Sequence, residues 1–540
     1  MEVPMREVRF FLFTLLALVV AACDVADSSQ YVKDDTAGSA DTTGDNGEPV
    51  DHGQPTDNEP LDNAQPTDDN QPVDNEPVDN GQPTDNEPPD TEQPDIETPD
   101  DGGEPPITDP TCGTNQGETG NAALVPVAAD SAIGDAPTPR YVHLSWQSEP
   151  AISMTFTWTT LDSSAGSMTK MTYAKACTDE AMSQNCVEVG PGNTGSMKGA
   201  AWVLPYDSAR KTVHVAELCG LKPGTTYYYQ VGAPDHLSPV SHFRTAPDPR
   251  QPAPPFTFVA MGDSRGAPER LARTIRAAIE NEDPVFISFG GDWVSEGTAQ
   301  GQWFDVFEQA EEWLRTVPIL SVIGNHEQNA VNYFAQFAMP GNENWFAIRY
   351  GNAVLVNLTD CWNGAGLWGT YGTACTGALM KDGSIKDQQT QFMHQVFGTL
   401  YADRPWRFVT HHRPIYSETS DLTHGGSFNS DLKAVWAPVF DQYQVTMVFN
   451  GHDHYYQRSV PLKGDVKQSN EALGVNYIVT AGAGATLYDV KTTDKVKVTK
   501  AAIHYVAITI DGNHLEFKAV ELNKDTGAPM GNIDTFSITK

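Results

Sequence analysis

The sequence predicts a multidomain chain of α+β/α/β class: an all-β sandwich followed by an α/β domain built on two sheets, both behind a disordered N-terminal linker. Three observations predict it. Residues 24–110 are almost free of aliphatic side chains, period-two strand patterns occupy the region from about 138 to 245, and β-branched runs alternate with helical repeats after residue 255. Five of those later runs end in short polar signatures: Gly262-Asp263, Gly291-Asp292, Gly324-Asn325-His326-Glu327, His411-His412-Arg413-Pro414 and Gly451-His452-Asp453-His454.

The first element is an export leader. A charged start and the apolar run 10–20 precede Ala21-Ala22-Cys23, a run too short to favour a spanning helix. Small residues immediately before a cysteine resemble a bacterial lipobox, which makes 1–22 a lipoprotein signal peptide and Cys23 the lipidated residue; ordinary cleavage and an uncleaved anchor are the alternatives. That reading places the protein in the bacterial cell envelope, lipid-anchored outside the cytoplasmic membrane, periplasmic or at the cell surface. Residues 23–120 then form the linker, which repeats variants of Gln-Pro-Thr-Asp-Asn-Glu-Pro and lacks the apolar surface to build a core. Between Asp24 and Pro110 stand 26 Asp and Glu against Lys33 alone, so about −25 of the formal −37 belongs to the tether. Such acidity argues against nucleic acid as a partner, and self-repulsion with frequent proline extends the segment.

Residues 136–247 read as the β domain. In Ser153–Thr159, Met154, Phe156 and Trp158 alternate with Thr155, Thr157 and Thr159, the pattern of a half-buried strand, and Thr226–Val231 alternates likewise. Leu221-Lys-Pro-Gly-Thr-Thr-Tyr-Tyr-Tyr-Gln-Val231 resembles the late-strand signature of fibronectin type III sandwiches. The proline-rich stretch 246–255 is a hinge of limited flexibility, and residues 256–540 form the α/β domain. There Leu271, Ile275 and Ile279 recur at helical spacing, as do Trp303, Phe307, Ala310 and Leu314. Besides Cys23 there are six cysteines, an even number that favours disulfides in an exported chain. Cys177 with Cys186 and Cys361 with Cys375 are local pairs, leaving Cys112 with Cys219, although fifteen pairings are formally open.

Asp, Asn and His at the ends of buried strands are oxygen and imidazole donors for borderline-hard cations. The preceding glycines are expected to turn the backbone sharply out of each strand. Two cations a few ångströms apart clamp a phosphoryl group and ionise a bridging water, so hydrolysis of a phosphate ester is the natural output. One Gly-Asp alone is more often a turn or a helix cap. Five signatures in this order, each after a strand, point to a metal site instead. His143, His214, His242, His394, His504 and His514 lack such company and read as structural or solvated.

The whole set resembles the calcineurin-like metallophosphoesterases, and the span from about 138 to 540 is similar to the purple acid phosphatase type. Gly451-His-Asp-His-Tyr-Tyr-Gln-Arg-Ser459 and His412-Arg-Pro-Ile-Tyr416 carry that resemblance most closely. It implies two divalent or trivalent ions, Fe, Zn or Mn, bridged by Asp292. Asp263 and His454 would hold one, and Asn325, His412 and His452 the other. It further implies that His326 contacts phosphate and assists the leaving group, that His424 is a second substrate histidine, and that His411 is a neighbour rather than a ligand. The implied partners are small-molecule phosphate esters.

Two departures stand out. Ser295 occupies the position where purple enzymes carry a tyrosine, so no phenolate-to-iron colour is expected. Arg265 stands where many generic members place a metal-binding histidine; it reaches either the substrate phosphate or a surface salt bridge. The leading expectation is an acid-phosphatase-like phosphomonoesterase. A phosphodiesterase or nucleotide hydrolase is the alternative, with Trp362, Trp368 and Tyr371 either stacking a base or packing over the cleft. A catalytically decayed adhesion lipoprotein is the contrasting reading.

Overall fold

The computed structural model describes Cys112 and residues 125–127, 138–161, 173–189, 199–203, 211–233, 235–360, 383–417 and 426–540. The leader with Cys23, the linker apart from Cys112, the Cys361 and Cys375 pair, the aromatics Trp362, Trp368 and Tyr371, and His424 lie outside the described residues. No helix among the described residues is long and apolar enough to cross a membrane.

Alternating strands build the leading domain as two facing sheets. One runs Val125–Val127, Gly199–Val203, Lys211–Cys219, Ser153–Leu161, Arg140–Ser145; the other runs Ser241–Arg244, Thr226–Ala233, Tyr173–Cys177, Val187–Val189. Met154, Phe156, Trp158, Tyr227, Tyr229 and Val231 are buried, and Phe156 meets Tyr229 across the sandwich with ring centroids 4.6 Å apart. The half-buried reading of Ser153–Thr159 is corrected, because Thr155, Thr157 and Thr159 are buried as well. The register explains this. Thr157 lies opposite His143 and Thr155 opposite Ser145; His143 stacks on Phe307 at 4.4 Å and Ser145 donates to the Ala338 carbonyl at 2.8 Å. The second domain, not water, covers that face. Cys112–Cys219 and Cys177–Cys186 are bonded as expected, as befits folding in an oxidising compartment.

The second domain stacks two mixed sheets. The first has the order Ile319–Ser321, Ile287–Phe289, Phe256–Met261, Ile503–Asp511, His514–Leu522, Pro529–Thr539, with its first three strands parallel. The second runs Phe346–Tyr350, Ala353–Asn357, Trp406–His411, Met447–Asn450, Asn476–Thr480, Tyr456–Ser459, Val496–Lys500. Phe258 joins them by packing against Phe408 at 5.1 Å and Phe449 at 6.0 Å. Helix Pro268–Glu282 starts with proline in its first turn and buries Leu271 and Ile275; helix Gln300–Leu314 buries Trp303, Phe307, Ala310 and Leu314. Both follow the helical spacing read from the sequence.

A buried ion pair ties the strand after the last polar signature to the far edge of the other sheet. Arg458 donates through Nε and Nη2 to Asp534 at 2.5 and 2.9 Å, Tyr456 donates to the same carboxylate at 2.7 Å, and the guanidinium lies 4.2 Å from the Phe536 ring centroid. Removing Asp534 leaves the buried Arg458 only the longer contact from Nη1 to Glu471 at 3.3 Å, and a buried charge that loses its main partner is costly. Asp534→Ala is therefore expected to lower the unfolding free energy by about 3–5 kcal/mol, read as a lower urea midpoint with an unchanged slope.

Candidate metal centre

Parallel pairing brings the polar signatures to one end of the sheets. Phe256–Met261, Ile287–Phe289 and Ile319–Ser321 run side by side and release Asp263, Asp292 and Asn325. Trp406–His411 and Met447–Asn450, also parallel, release His412 and then His452 and His454. Loops at strand ends converge in this way although far apart in sequence.

The glycine expectation is corrected in part. Asp263, Asp292 and His452 themselves take left-handed backbone, with φ of 66°, 59° and 71°, while of the glycines before the ligand positions only Gly291, at 89°, does so. Such non-glycine conformers are held against their preference by their surroundings. Gly324 is needed for closeness: a Cβ there would stand 2.2 Å from Asp292 Oδ1 and 2.4 Å from its amide nitrogen.

Two side-chain clusters share Asp292. Asp292, His412 and His452 form one and Asp263, Asp292 and His454 the other, each with candidate ligand atoms within 4.8 Å of one another. Asn325 Oδ1 joins the first, 3.0 Å from His412 Nε2 and 2.8 Å from His452 Nδ1. His412 donates its Nδ1–H to the Gly290 carbonyl at 2.7 Å, and His454 donates its own to the Thr486 carbonyl at 2.7 Å. That fixes both tautomers and turns Nε2 lone pairs inward, the usual support for a metal-binding imidazole. His412 Nε2 then faces Asp292 Oδ1 at 3.4 Å, and His454 Nε2 faces Asp263 Oδ1 at 3.5 Å.

Acceptors facing acceptors in a buried site call for positive charge between them. Asp263 Oδ2, Asp292 Oδ2 and His454 Nε2 are buried with no hydrogen-bond partner. Burial opposes a charge on His412, yet the carboxylates of Asp292 and Asp263 push its pKa up to about 10. Asp292 is likewise held well below the ordinary carboxylate range: burial works against it, and His412 outweighs burial. Without a cation the site gathers a proton; the donor set fits two borderline-hard metal ions.

Around the clusters, residues with quieter sequence signals set the geometry. Glu327, fully buried, accepts N–H bonds from Asp292 at 2.8 Å, Trp293 at 2.7 Å and Gly324 at 2.6 Å, stitching two signature loops together. Burial and then the charge of Asp292 push its pKa up to about 8, against those amides. It is a functional residue the sequence reading left without a role, although it closes the third signature. His326 donates N–H to Asp292 Oδ1 at 2.9 Å, and its Nδ1–H to the Ser295 carbonyl at 2.7 Å. His411 packs instead against Trp436 and Phe440 beside Asp360, away from the clusters. Arg265 makes no salt bridge among the described residues and donates from Nη1 to the Tyr488 hydroxyl at 3.0 Å. Of the described histidines outside the signatures, His214 stacks on Trp158 at 5.1 Å and His504 is buried beside Tyr456, both structural, while His242 is exposed.

Two stacked mixed sheets with acidic and histidine loops converging at one end define a metallophosphoesterase architecture. Residues 256–456 match the family model for calcineurin-like phosphoesterases, and residues 139–245 match that for the purple acid phosphatase N-terminal domain. These two segments thus match, in order, the two domains of metallophosphoesterases of the purple acid phosphatase type. It is 28% identical over 289 residues to an uncharacterized protein of Mycobacterium tuberculosis, 47% of this chain and 51% of that one. It is 25% identical over 294 residues to purple acid phosphatase 15 of Arabidopsis thaliana, covering 48% and 51%, and 25% identical over 354 residues to mouse acid phosphatase type 7, covering 60% and 72%. The chain thus spans about half the length of the first two relatives. Among solved structures, the purple acid phosphatase PPD1 from yellow lupin seeds has a TM-score of 0.58 at 17% identity, covering 75% of this chain and 74% of that one. PhoD follows at 0.56 and 14%, covering 76% and 92%; at such identities the likeness is one of fold.

Proposed function

We propose that this protein hydrolyses phosphoric esters at a dinuclear metal site, acting as an acid-phosphatase-like phosphomonoesterase. The observation that carries the proposal is the pair of clusters sharing Asp292, with three buried donor atoms left unpartnered. Asp263 and His454 would hold one ion, Asn325, His412 and His452 the other, and Asp292 both. When bound, the ions would supply charge to bind the phosphoryl group and lower the pKa of the attacking water. The chain's own residues do the rest. His326 has its Nδ1–H committed to Ser295, so any proton it gives to a leaving oxygen moves at Nε2. His424, after the fourth signature, would be a second histidine facing the substrate, as the resemblance implies. Ser295 accepts the His326 Nδ1–H at its backbone carbonyl, and its side chain offers no phenolate to a metal. Export and attachment to the cell envelope through a lipid on Cys23 are part of the same proposal, supported by Ala21-Ala22-Cys23 and by the two disulfides.

The test is hydrolysis of a phosphomonoester and a phosphodiester by the full chain, stripped with a chelator and then supplied with Zn, Mn or Fe. Monoester turnover is expected to vanish on stripping and to return with metal. Diester turnover alone would transfer the proposal to the diesterase alternative. No turnover of either ester with any metal would overturn it in favour of the adhesion reading.

A further inference from the structure

The loop that follows the second signature holds His326 by its ring and by its backbone. The Ser295 carbonyl accepts the ring Nδ1–H at 2.7 Å, and Gly297 donates its N–H to the His326 carbonyl at 2.8 Å. The approach is close enough to require glycine, since a Cβ on Gly297 would stand 1.9 Å from the Glu327 carbonyl oxygen. His326 also donates its own N–H to Asp292 Oδ1 at 2.9 Å. The orientation of its ring therefore depends on where Ser295, Glu296 and Gly297 are kept.

Those residues lie outside any helix or strand, and the first turn of helix Gln300–Leu314 is what fixes them. Gln302 Oε1 accepts the amide of Ser295 at 2.9 Å and that of Glu296 at 3.1 Å. The buried Trp303 beside it donates its Nε1–H to the Gly297 carbonyl at 2.8 Å. Gln302 is the third residue of the helix. A glutamine there ordinarily reaches back to the amide of the residue that caps the helix. That amide, on Ala299, donates instead to the Glu296 carbonyl at 3.0 Å, and the Gln302 oxygen extends further back to the loop. Both groups it meets are N–H donors, so the oxygen and not the nitrogen of its side chain faces them.

We propose that Gln302 is a positioning residue for His326: by holding Ser295 and Glu296 it keeps in place the carbonyl that fixes the imidazole, and so aims Nε2 at the leaving oxygen of the substrate. The inference rests on the phosphoesterase reading above and deepens it by naming how the site serves its leaving group. In that step the P–O bond to the ester oxygen breaks, the Nε2 proton passes to that oxygen, and the proton released by the attacking water returns to Nε2. The ring keeps its Nδ1–H on Ser295 throughout. Esters of alcohols need the proton, because an alkoxide leaves poorly, whereas p-nitrophenolate is stable as an anion and needs it little. A displaced ring therefore slows the first class and largely spares the second.

The experiment compares wild type, Gln302→Met and Gln302→Glu in the metal-loaded full chain. Methionine keeps the length of the side chain and removes the acceptor, while glutamate keeps an acceptor oxygen for both amides. It reads bound metal, kcat and KM for glycerol 2-phosphate and p-nitrophenyl phosphate, and hydrogen exchange at the Ser295 and Glu296 amides. Gln302→Met is expected to retain its metals and to exchange those amides about tenfold faster. Its kcat for glycerol 2-phosphate is expected to fall about tenfold, with a smaller loss for p-nitrophenyl phosphate and little change in either KM. Gln302→Glu is expected to stay close to wild type on every reading. Unchanged exchange, an equal loss with both esters, metal loss from Gln302→Met, or a glutamate variant as impaired as the methionine one would each overturn the assignment. If wild type hydrolyses neither ester, the phosphoesterase reading fails and the leaving-group role with it, and the exchange comparison still decides whether Gln302 holds the loop.

Discussion

Asp292→Asn is expected to abolish turnover and leave the chain unable to hold two metal ions. The substitution keeps the shape of the side chain, and its amide oxygen can still accept the His326 N–H that Asp292 Oδ1 receives at 2.9 Å. What it removes is the negative charge common to both clusters. The same charge holds His412 protonated when no metal is present, so its loss weakens the demand for cations throughout the site. Loss of the electrostatic stabilisation two ions give a transferring phosphoryl group is a matter of several kcal/mol, or about a thousandfold in kcat/KM. Metal content by elemental analysis and hydrolysis of a monoester check the two halves separately. Retention of two ions and full activity in the Asp292→Asn variant would remove Asp292 from the bridging role. Loss of activity with both ions retained would leave it a part in orienting His326 instead.

Much of this candidate site was legible because each candidate ligand follows a buried strand, and parallel strands deliver their ends to one edge whatever their separation in sequence. The helical spacing through Leu271 and Ile275 was equally readable, since both are buried on the face their helix turns to the first sheet. Other features depend on approach in three dimensions. Thr155 and Thr157 read as solvent-facing, and only the docking of Phe307 and Ala338 against their neighbours His143 and Ser145 buries them. Gly324 read as a turn residue, whereas its lack of a side chain serves the passage of Asp292 at 2.2 Å from where a Cβ would be. Tyr488 gave no signal, because stacking on a histidine as distant in sequence as His454 leaves no local pattern.

Glu327 is the residue whose loss is expected to cost the fold most near the site. Its carboxylate receives the amides of Asp292, Trp293 and Gly324 at 2.6–2.8 Å in full burial. Glu327→Ala leaves three buried N–H groups unpaired, each worth about 1–3 kcal/mol, so a loss of at least about 3 kcal/mol follows by the same bookkeeping. Those amides also hold Asp292 in its left-handed backbone, so metal affinity should fall by about 10–100-fold, the usual effect of removing a partner that orients a ligand. Glu327→Gln keeps one acceptor oxygen and should fall between the alanine variant and wild type on both scales. Urea unfolding of the stripped proteins isolates the first effect, and metal titration of the folded variants isolates the second. If the alanine variant unfolds at the wild-type urea concentration, the three amides find other acceptors and Glu327 is not the brace between the second and third signature loops.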